Sequence, residues 1–328
     1  MNNNHFTGKY APYIKDFIAL KRGLGFKYDS ESAIYSVFDR FTIQRGEKAV
    51  GITRELAAEW CKKNRNESDS YRKHRVICLC QLSSYLCQLG IRSYIPQIPV
   101  FRSTFTPYIF SKKEVAALFN ATDQLLAKRR SMKTILFSIP VLLRFLYATG
   151  VRISEALALK NKDINLNDHY FILRDSKNRK ERMIPISQSL ASVCMEYVAN
   201  RNNLPIDQPG NEYFFISANG SIIKRDAVYR NFRKILKSAG INYLGEHRGP
   251  RVHDLRHTFS VHSLVMMAES GMDMYCSLPI LSTYLGHQSL HSTNSYVRLT
   301  AELYPELLKD VDAICLNVFP IIECYESY

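Results

Sequence analysis

The sequence predicts a mainly α protein of two domains: an all-helical N-terminal domain, then a helix-rich α+β domain with one small antiparallel sheet. Three observations carry this. Over the first hundred residues, apolar side chains recur at three- and four-residue spacing, the period of helices with one buried face. A stretch with three prolines, GIRSYIPQIPVFRSTFTPY (90–108), then breaks the pattern as a linker does. Further on, HYFILRD (169–175) and ERMIPIS (181–187) form the one convincing pair of strands, joined by the basic turn SKNRK.

In the N-terminal domain, taken as 1–105, helices are predicted over 10–22, 33–44, 53–63 and 70–89, with GLGFK (23–27) and RGEKAVG (45–51) as turns. In the fourth helix Val76, Leu79, Leu82 and Leu86 make an apolar stripe, while Arg72, Lys73 and Arg75 cluster at its start. These three are candidate DNA contacts, and a solvated helix start accounts for them equally well.

The second domain, 106–299, opens with Ser111, a good N-cap for SKKEVAALFNATDQLL. A helix is predicted over 134–148, stopping before Gly150, and DINLND (163–168) leads into the strands. Helices return over 188–201, over 224–239 closed by Gly240, and over 253–270 closed by Gly271. Lys224 and Arg225 open one of these and are further candidate phosphate contacts, or simply a solvated helix start. Another helix ends at Gly286, and a new one begins near Ser292 or Thr293. A tail, 300–328, repeats Leu307, Val311, Ile314 and Val318 at helical spacing and reads as a helix with one apolar stripe, which either packs on its own domain or serves oligomerisation by docking on another copy.

At 328 residues, 46% hydrophobic and 23% charged, the chain is long enough for two cores. It has no run approaching the roughly 18 apolar residues a membrane span needs, and MNNNHFTGKY lacks the features of a secretory signal. A cytoplasmic protein with no membrane partner is expected. Eight cysteines, at 61, 78, 80, 87, 194, 276, 315 and 324, make no CxxC pair, so reduced thiols are predicted and no metal site. The net charge is +14, split as +8 over 1–105, +11 over 106–299 and −5 over 300–328. Two basic blocks with an acidic tail suit a polyanion gripped by both domains, although a merely basic soluble protein shows the same excess.

Four short motifs carry candidate chemistry. In ATGVRISEAL (148–157), Arg152 lies just before a predicted helix start, with Glu155 near enough to orient it; alone, this is an ordinary surface pair. In VHDLRHTFSVH (252–262), His253 and Arg256 share one face at a helix start, where unpaired N–H groups favour an anion. Lys177 sits in the hairpin turn, and turns are often basic. In LGHQSLHSTNSYVRL (285–299), His287 follows Gly286 and precedes Tyr296 by nine residues. Each element alone is unspecific.

Taken in order, Arg152, Lys177, His253, Arg256, His287 and Tyr296 resemble the tyrosine recombinase (phage integrase) family, over roughly 110–300. The N-terminal helical region is similar to that family's core-binding, DNA-binding domain, and LPILSTYLGHQSLHSTNSYVRLTAELYPEL (278–307) resembles transposon-encoded members. The interval from Arg256 to His287 is longer than in the simplest members, with SGMDMYCS (270–277) as the expected extra loop.

The resemblance implies a catalytic domain at 106–299 that cuts and rejoins double-stranded DNA through a 3′-phosphotyrosyl link. Tyr296 would be the nucleophile, and Arg152 and Arg256 would clamp the nonbridging oxygens. Lys177 would protonate the leaving 5′-oxygen, His253 would help remove the tyrosine proton, His287 would bond the phosphate, and Glu155 would orient the cluster. One phosphodiester replaces another, so neither ATP nor a metal nor another cofactor is expected. A homotetramer on paired sites follows, assembled from monomers or weak dimers, with companion recombinases of the same element as further partners. A type IB-like topoisomerase and a DNA-binding regulator without catalysis remain as alternatives.

Overall fold

The computed structural model describes residues 5–100, 106–125, 133–174, 181–206, 212–243, 249–287 and 291–304. The chain divides into two compact units, Met1–Phe105 and Thr106–Tyr328, each with its own core.

Among its described residues the first unit has four helices: α1 (Ala11–Gly23), α2 (Asp29–Arg45), α3 (Arg54–Trp60) and α4 (Asp69–Gln88). Thr53 and Ser68 cap the last two through their side-chain oxygens. α2 begins four residues ahead of its predicted start, with Asp29 and Glu31 in its first turn, where acidic groups favour the helix N-terminus. Phe17, Tyr35, Phe38, Trp60, Leu82 and Leu86 fill the core.

Arg75, a candidate DNA contact, turns inward rather than to solvent. Its guanidinium is buried, forms a two-bond pair with Glu67 (Nε–Oε1 and Nη2–Oε2, both 2.8 Å), donates to the carbonyls of Trp60 and Lys62, and covers the Trp60 ring. An arginine whose donors all point inward is a structural strut between α4 and the end of α3. Arg72, half-buried, spends its Nε on the carbonyl of Cys61 at 2.8 Å, while Lys73 is also half-buried.

The second unit starts with α5 (Lys112–Asp123), closed at its N-terminus by the reciprocal cap of Ser111 and Glu114. α6 (Ile139–Thr149) begins five residues later than predicted, at Ser138 and Pro140, because proline suits a first turn. Gly150, in the left-handed region at φ +59°, ends it, and α7 (Ile153–Leu157) follows at once. The sheet is three antiparallel strands in sequence order, β1 (Ile164–Asn165), β2 (Tyr170–Leu173) and β3 (Arg182–Pro185), with Phe171 opposite Ile184.

Helices α8 (Gln188–Asn202), α9 (Arg225–Ser238), α10 (Asp254–Glu269), α11 (Met274–Leu285) and α12 (His291–Leu303) follow among the described residues. The expected loop at 270–277 is half helix: Asp273 accepts the N–H of Cys276, and α11 starts at Met274. Leu278, Leu281, Tyr296 and Leu299 pack against Val261 and Leu264, so α11 and α12 dock on α10 in a satellite core. The described cysteines, 61, 78, 80, 87, 194 and 276, are free thiols. Among the described residues, no helix is long and apolar enough to cross a membrane. The predicted tail helix beyond residue 304 lies outside the described residues.

Candidate active site

α10 organises the site. Arg251 and Asp254 pin its first turn, the carboxylate accepting the Arg251 backbone N–H at 2.7 Å. From that fixed start His253, Arg256, His257 and Ser260 line one face of the helix, as three- and four-residue spacing requires.

Arg256 is buried at 3% exposure. It donates Nη1 to the carbonyl of Gly150 at 2.7 Å and Nη2 to the carbonyl of Leu285 at 2.9 Å. Both carbonyls end helices and have no further helical partner, so one guanidinium ties the ends of α6 and α11 to the start of α10. Burial pulls its pKa down to about 10, helped by the like charge of Arg152 and opposed by Tyr296 and Glu155. It remains a cation at neutral pH.

Gly150 is needed twice. Its left-handed backbone favours glycine, and the ring of Phe259 occupies the space a Cβ would take. Two residues on, Arg152 caps α7 and turns its side chain back on Glu155, at 2.9 Å from Oε1. Glu155 also accepts the Arg152 backbone N–H at 2.9 Å and Nη2 of Arg182 at 3.0 Å. Burial alone would raise the pKa of Glu155; the Arg152 N–H and the Arg182 and Arg152 guanidiniums outweigh it and hold the carboxyl below the usual range. Glu155 therefore joins two arginines from different elements.

Arg182 is a further site residue that no sequence motif marks. Its Nε is buried with no hydrogen-bond partner, and its guanidinium fills the space beside Gly286. The signal was the strand period: Arg182 and Ile184 share a face of β3, and Ile184 is buried. The basic turn KNRKER masked it.

His287 lies beneath Arg256. Nη2 of Arg256 is 3.1 Å from Nε2, and Nδ1 is 2.8 Å from the hydroxyl of Thr293. Arginine can only donate, so Nε2 accepts and Nδ1 carries the proton. Burial lowers the His287 pKa to about 4, with Arg256 and Arg152 adding to the effect.

Tyr296 reaches this cluster from α12. The side chain is 4% exposed, its ring stacks at 16° on that of His287, and its hydroxyl is 3.0 Å from Nδ1 of His257. Burial raises the phenol pKa, and the Arg256 charge pulls it back. Tyr284, the neighbouring tyrosine on α11, stacks on Phe259 instead.

His253 meets His257 edge to face, with ring centroids 4.8 Å apart. Both have pKa values lowered to about 4, first by burial; next comes His257 for His253, and Arg251 for His257. Among the described residues, the histidine bonded to the nucleophile candidate is thus His257, not His253. HDLRH places His253 and His257 four apart on one face, but the HxxR spacing marks only the first.

The structure brings together Arg152, Glu155, His253, Arg256, His287 and Tyr296. Lys177 lies outside the described residues. Lys224 and Arg225 are exposed at the start of α9. Three guanidiniums (152, 182 and 256) meet one carboxylate and neutral histidines, which leaves the pocket cationic. Such a site suits a phosphate, with a phenol at its edge.

A helical unit followed by a helix-rich unit with an arginine–histidine–tyrosine pocket suggests an enzyme acting on phosphodiesters. The Phage integrase family matches residues 109–302. A Sinorhizobium fredii protein, y4rB, named as an integrase/recombinase, is 27% identical over 302 residues, covering 91% of this chain and 96% of its own. The tyrosine recombinase XerD of Chlorobaculum tepidum is 28% identical over 205 residues, 62% of each chain. The solved Tn1549 transposon integrase in complex with transposon right end DNA shares the fold, with a TM-score of 0.63 and 16% identity over 90% of this chain and 99% of that one. XerH bound to palindromic difH substrate does so at a TM-score of 0.62 and 22% identity, over 84% of this chain and 78% of that one. The chain belongs to the Phage integrase family and is a tyrosine-type site-specific DNA recombinase.

Proposed function

We propose that this chain is the recombinase of a mobile element, cutting and rejoining double-stranded DNA through a 3′-phosphotyrosyl link at Tyr296. The observation that carries this is the position of the Tyr296 phenol: buried, protonated, and beside the guanidinium of Arg256.

Arg152 and Arg256 receive the nonbridging oxygens of the scissile phosphate, where charge builds as the phenol attacks. Their forks are held by Glu155 and by the two helix-end carbonyls, so little reorganisation is needed when the phosphate arrives. His287, with Nδ1 bonded to Thr293, keeps its place on Arg256 and beside the phosphate. Lys177 supplies the proton to the departing 5′-oxygen. The bond energy is retained in the phosphotyrosyl ester, so rejoining needs no ATP.

The core-binding domain, 1–105, and the catalytic domain, 106–299, both carry a positive excess and both hold the duplex, with Lys224, Arg225, Arg72 and Lys73 as phosphate contacts. Four copies act on two paired sites; a solved lambda integrase is a tetramer bound to a Holliday junction. The acidic tail, 300–328, links one copy to the next.

The test uses plasmids carrying two copies of the DNA that flanks the gene. Recombinant products are expected. Relaxation without recombinants would mean a topoisomerase, and retention without cleavage a regulator.

A further inference from the structure

We propose that His257 is the proton acceptor for Tyr296: its Nδ1, 3.0 Å from the phenol oxygen, takes the phenol proton as that oxygen attacks phosphorus. This rests on Tyr296 being the nucleophile, as proposed above, and adds a catalytic residue to that site.

The geometry separates the three histidines. His287 has both ring nitrogens engaged, Nε2 by Arg256 and Nδ1 by Thr293. His253 packs its ring against His257. Only His257, among the described residues, has a ring nitrogen on the hydroxyl. A general base must first be within hydrogen-bond reach of the proton it abstracts, and His257 meets that condition before DNA binds.

Its surroundings keep it ready. Arg251, Arg256, His253 and His287 face it, and together with burial they favour the uncharged imidazole. An uncharged ring whose Nδ1 accepts from the phenol carries its own proton on Nε2. The neighbouring Arg256 charge acts in the complementary sense, lowering the cost of a phenolate. Base and cation thus act on one oxygen.

The step balances as follows. The Tyr296 Oη–H bond breaks and its proton passes to His257 Nδ1, while the oxygen's electron pair forms the bond to phosphorus. The bond from phosphorus to the 5′-oxygen breaks, and that oxygen takes a proton from Lys177. On rejoining, the 5′-hydroxyl returns its proton to Lys177, and the imidazolium of His257 returns its own to the tyrosine.

The test is the single-turnover rate of covalent adduct formation at neutral pH, on a nicked duplex of the flanking DNA and on the same duplex with a 5′-bridging phosphorothiolate. The sulfur leaves without an acid, so only the nucleophile side is read. His257→Asn keeps an acceptor oxygen near the position of Nδ1 but cannot take up the proton. It is expected to slow both substrates on the order of a hundredfold. A His257→Asn rate within about threefold of the unsubstituted protein would overturn the proposal, as would a defect that vanishes on the phosphorothiolate. A second measurement needs no variant: ¹⁵N chemical shifts of labelled histidine in the native protein should show Nδ1 of His257 unprotonated, and a proton there would overturn it. If the unsubstituted protein forms no adduct at all, the recombinase reading itself fails. If it forms one and His257→Asn matches it, only the role of His257 fails.

Discussion

Arg256 donates Nη2 to Nε2 of His287 at 3.1 Å, and this contact sets the tautomer of the histidine, while burial, with Arg256 adding to it, keeps the ring uncharged. The same guanidinium holds two helix-end carbonyls, so it is at once a phosphate clamp and a brace between three helices. Arg256→Ala is expected to cut the cleavage rate on the order of a hundredfold or more. It should also cost about 1–3 kcal/mol of stability, because buried carbonyls lose their donor. Arg256→Lys keeps the charge without the fork and should remain impaired. Single-turnover cleavage with thermal melting checks both; an alanine variant that cleaves normally would remove Arg256 from the clamp.

Arg182 and Gly286 are coupled by shape. A Cβ at Gly286 would run into the Arg182 guanidinium, and the backbone there sits at φ +66°. Gly286→Ala should lower stability by about 1 kcal/mol from backbone strain alone. It should slow cleavage further by displacing the adjoining His287. In an Arg182→Ala background the clash is gone, so the penalty of Gly286→Ala should shrink in a double-mutant cycle. Simple additivity would show that the two do not press on each other.

The four basic residues at helix starts and Arg75 should separate cleanly. The Arg75–Glu67 pair is nearly closed to solvent, at 5% and 3% side-chain exposure. Arg75→Ala leaves a buried carboxylate unpaired and is expected to cost about 3–5 kcal/mol. Lys224→Ala and Arg225→Ala sit on an exposed helix start and should leave the melting temperature alone. Each should reduce the log–log salt slope of DNA binding by about one contact, or roughly 0.9. A stable Arg75→Ala variant with weak DNA binding would reverse this assignment.

Acid should weaken the fold ahead of ordinary carboxylate titration. His253, His257 and His287 are each lowered from 6.5 to about 4, chiefly by burial. Between those pH values the unfolded chain binds protons that the folded chain does not, so stability falls as pH drops from about 6.5 towards 4. His253 and His257 each contribute up to about 1.4 kcal/mol per pH unit in that window, and the half-buried His287 less, because solvent screens it. Urea midpoints measured across it should decline, and less steeply for His257→Asn. A flat profile would mean the histidines are charged in the folded state.

Much of this was legible in the sequence because helices announce themselves by period and caps. Ser111 with Glu114, Gly150 and the strand pair around Phe171 and Ile184 sit where local chemistry puts them. What escaped depended on tertiary context. Arg75 belongs to a basic cluster in sequence, yet only packing on Trp60 reveals it as a strut. Arg182 hides in a basic turn until Glu155 approaches from α7. His257 is one residue past Arg256, and nothing local says that α12 will bring a hydroxyl to it.

The central claim is that Tyr296 is the nucleophile. The most direct measurement is covalent trapping on a nicked duplex of the flanking DNA, followed by denaturation and mapping of the DNA-linked peptide by mass spectrometry. The unsubstituted protein should give a denaturant-resistant adduct whose modified residue is Tyr296. Tyr296→Phe, which loses only the hydroxyl bonded to His257, should bind the same DNA with nearly unchanged affinity and give no adduct. An adduct surviving in Tyr296→Phe, or mapping to Tyr284 or Tyr304, would contradict the account.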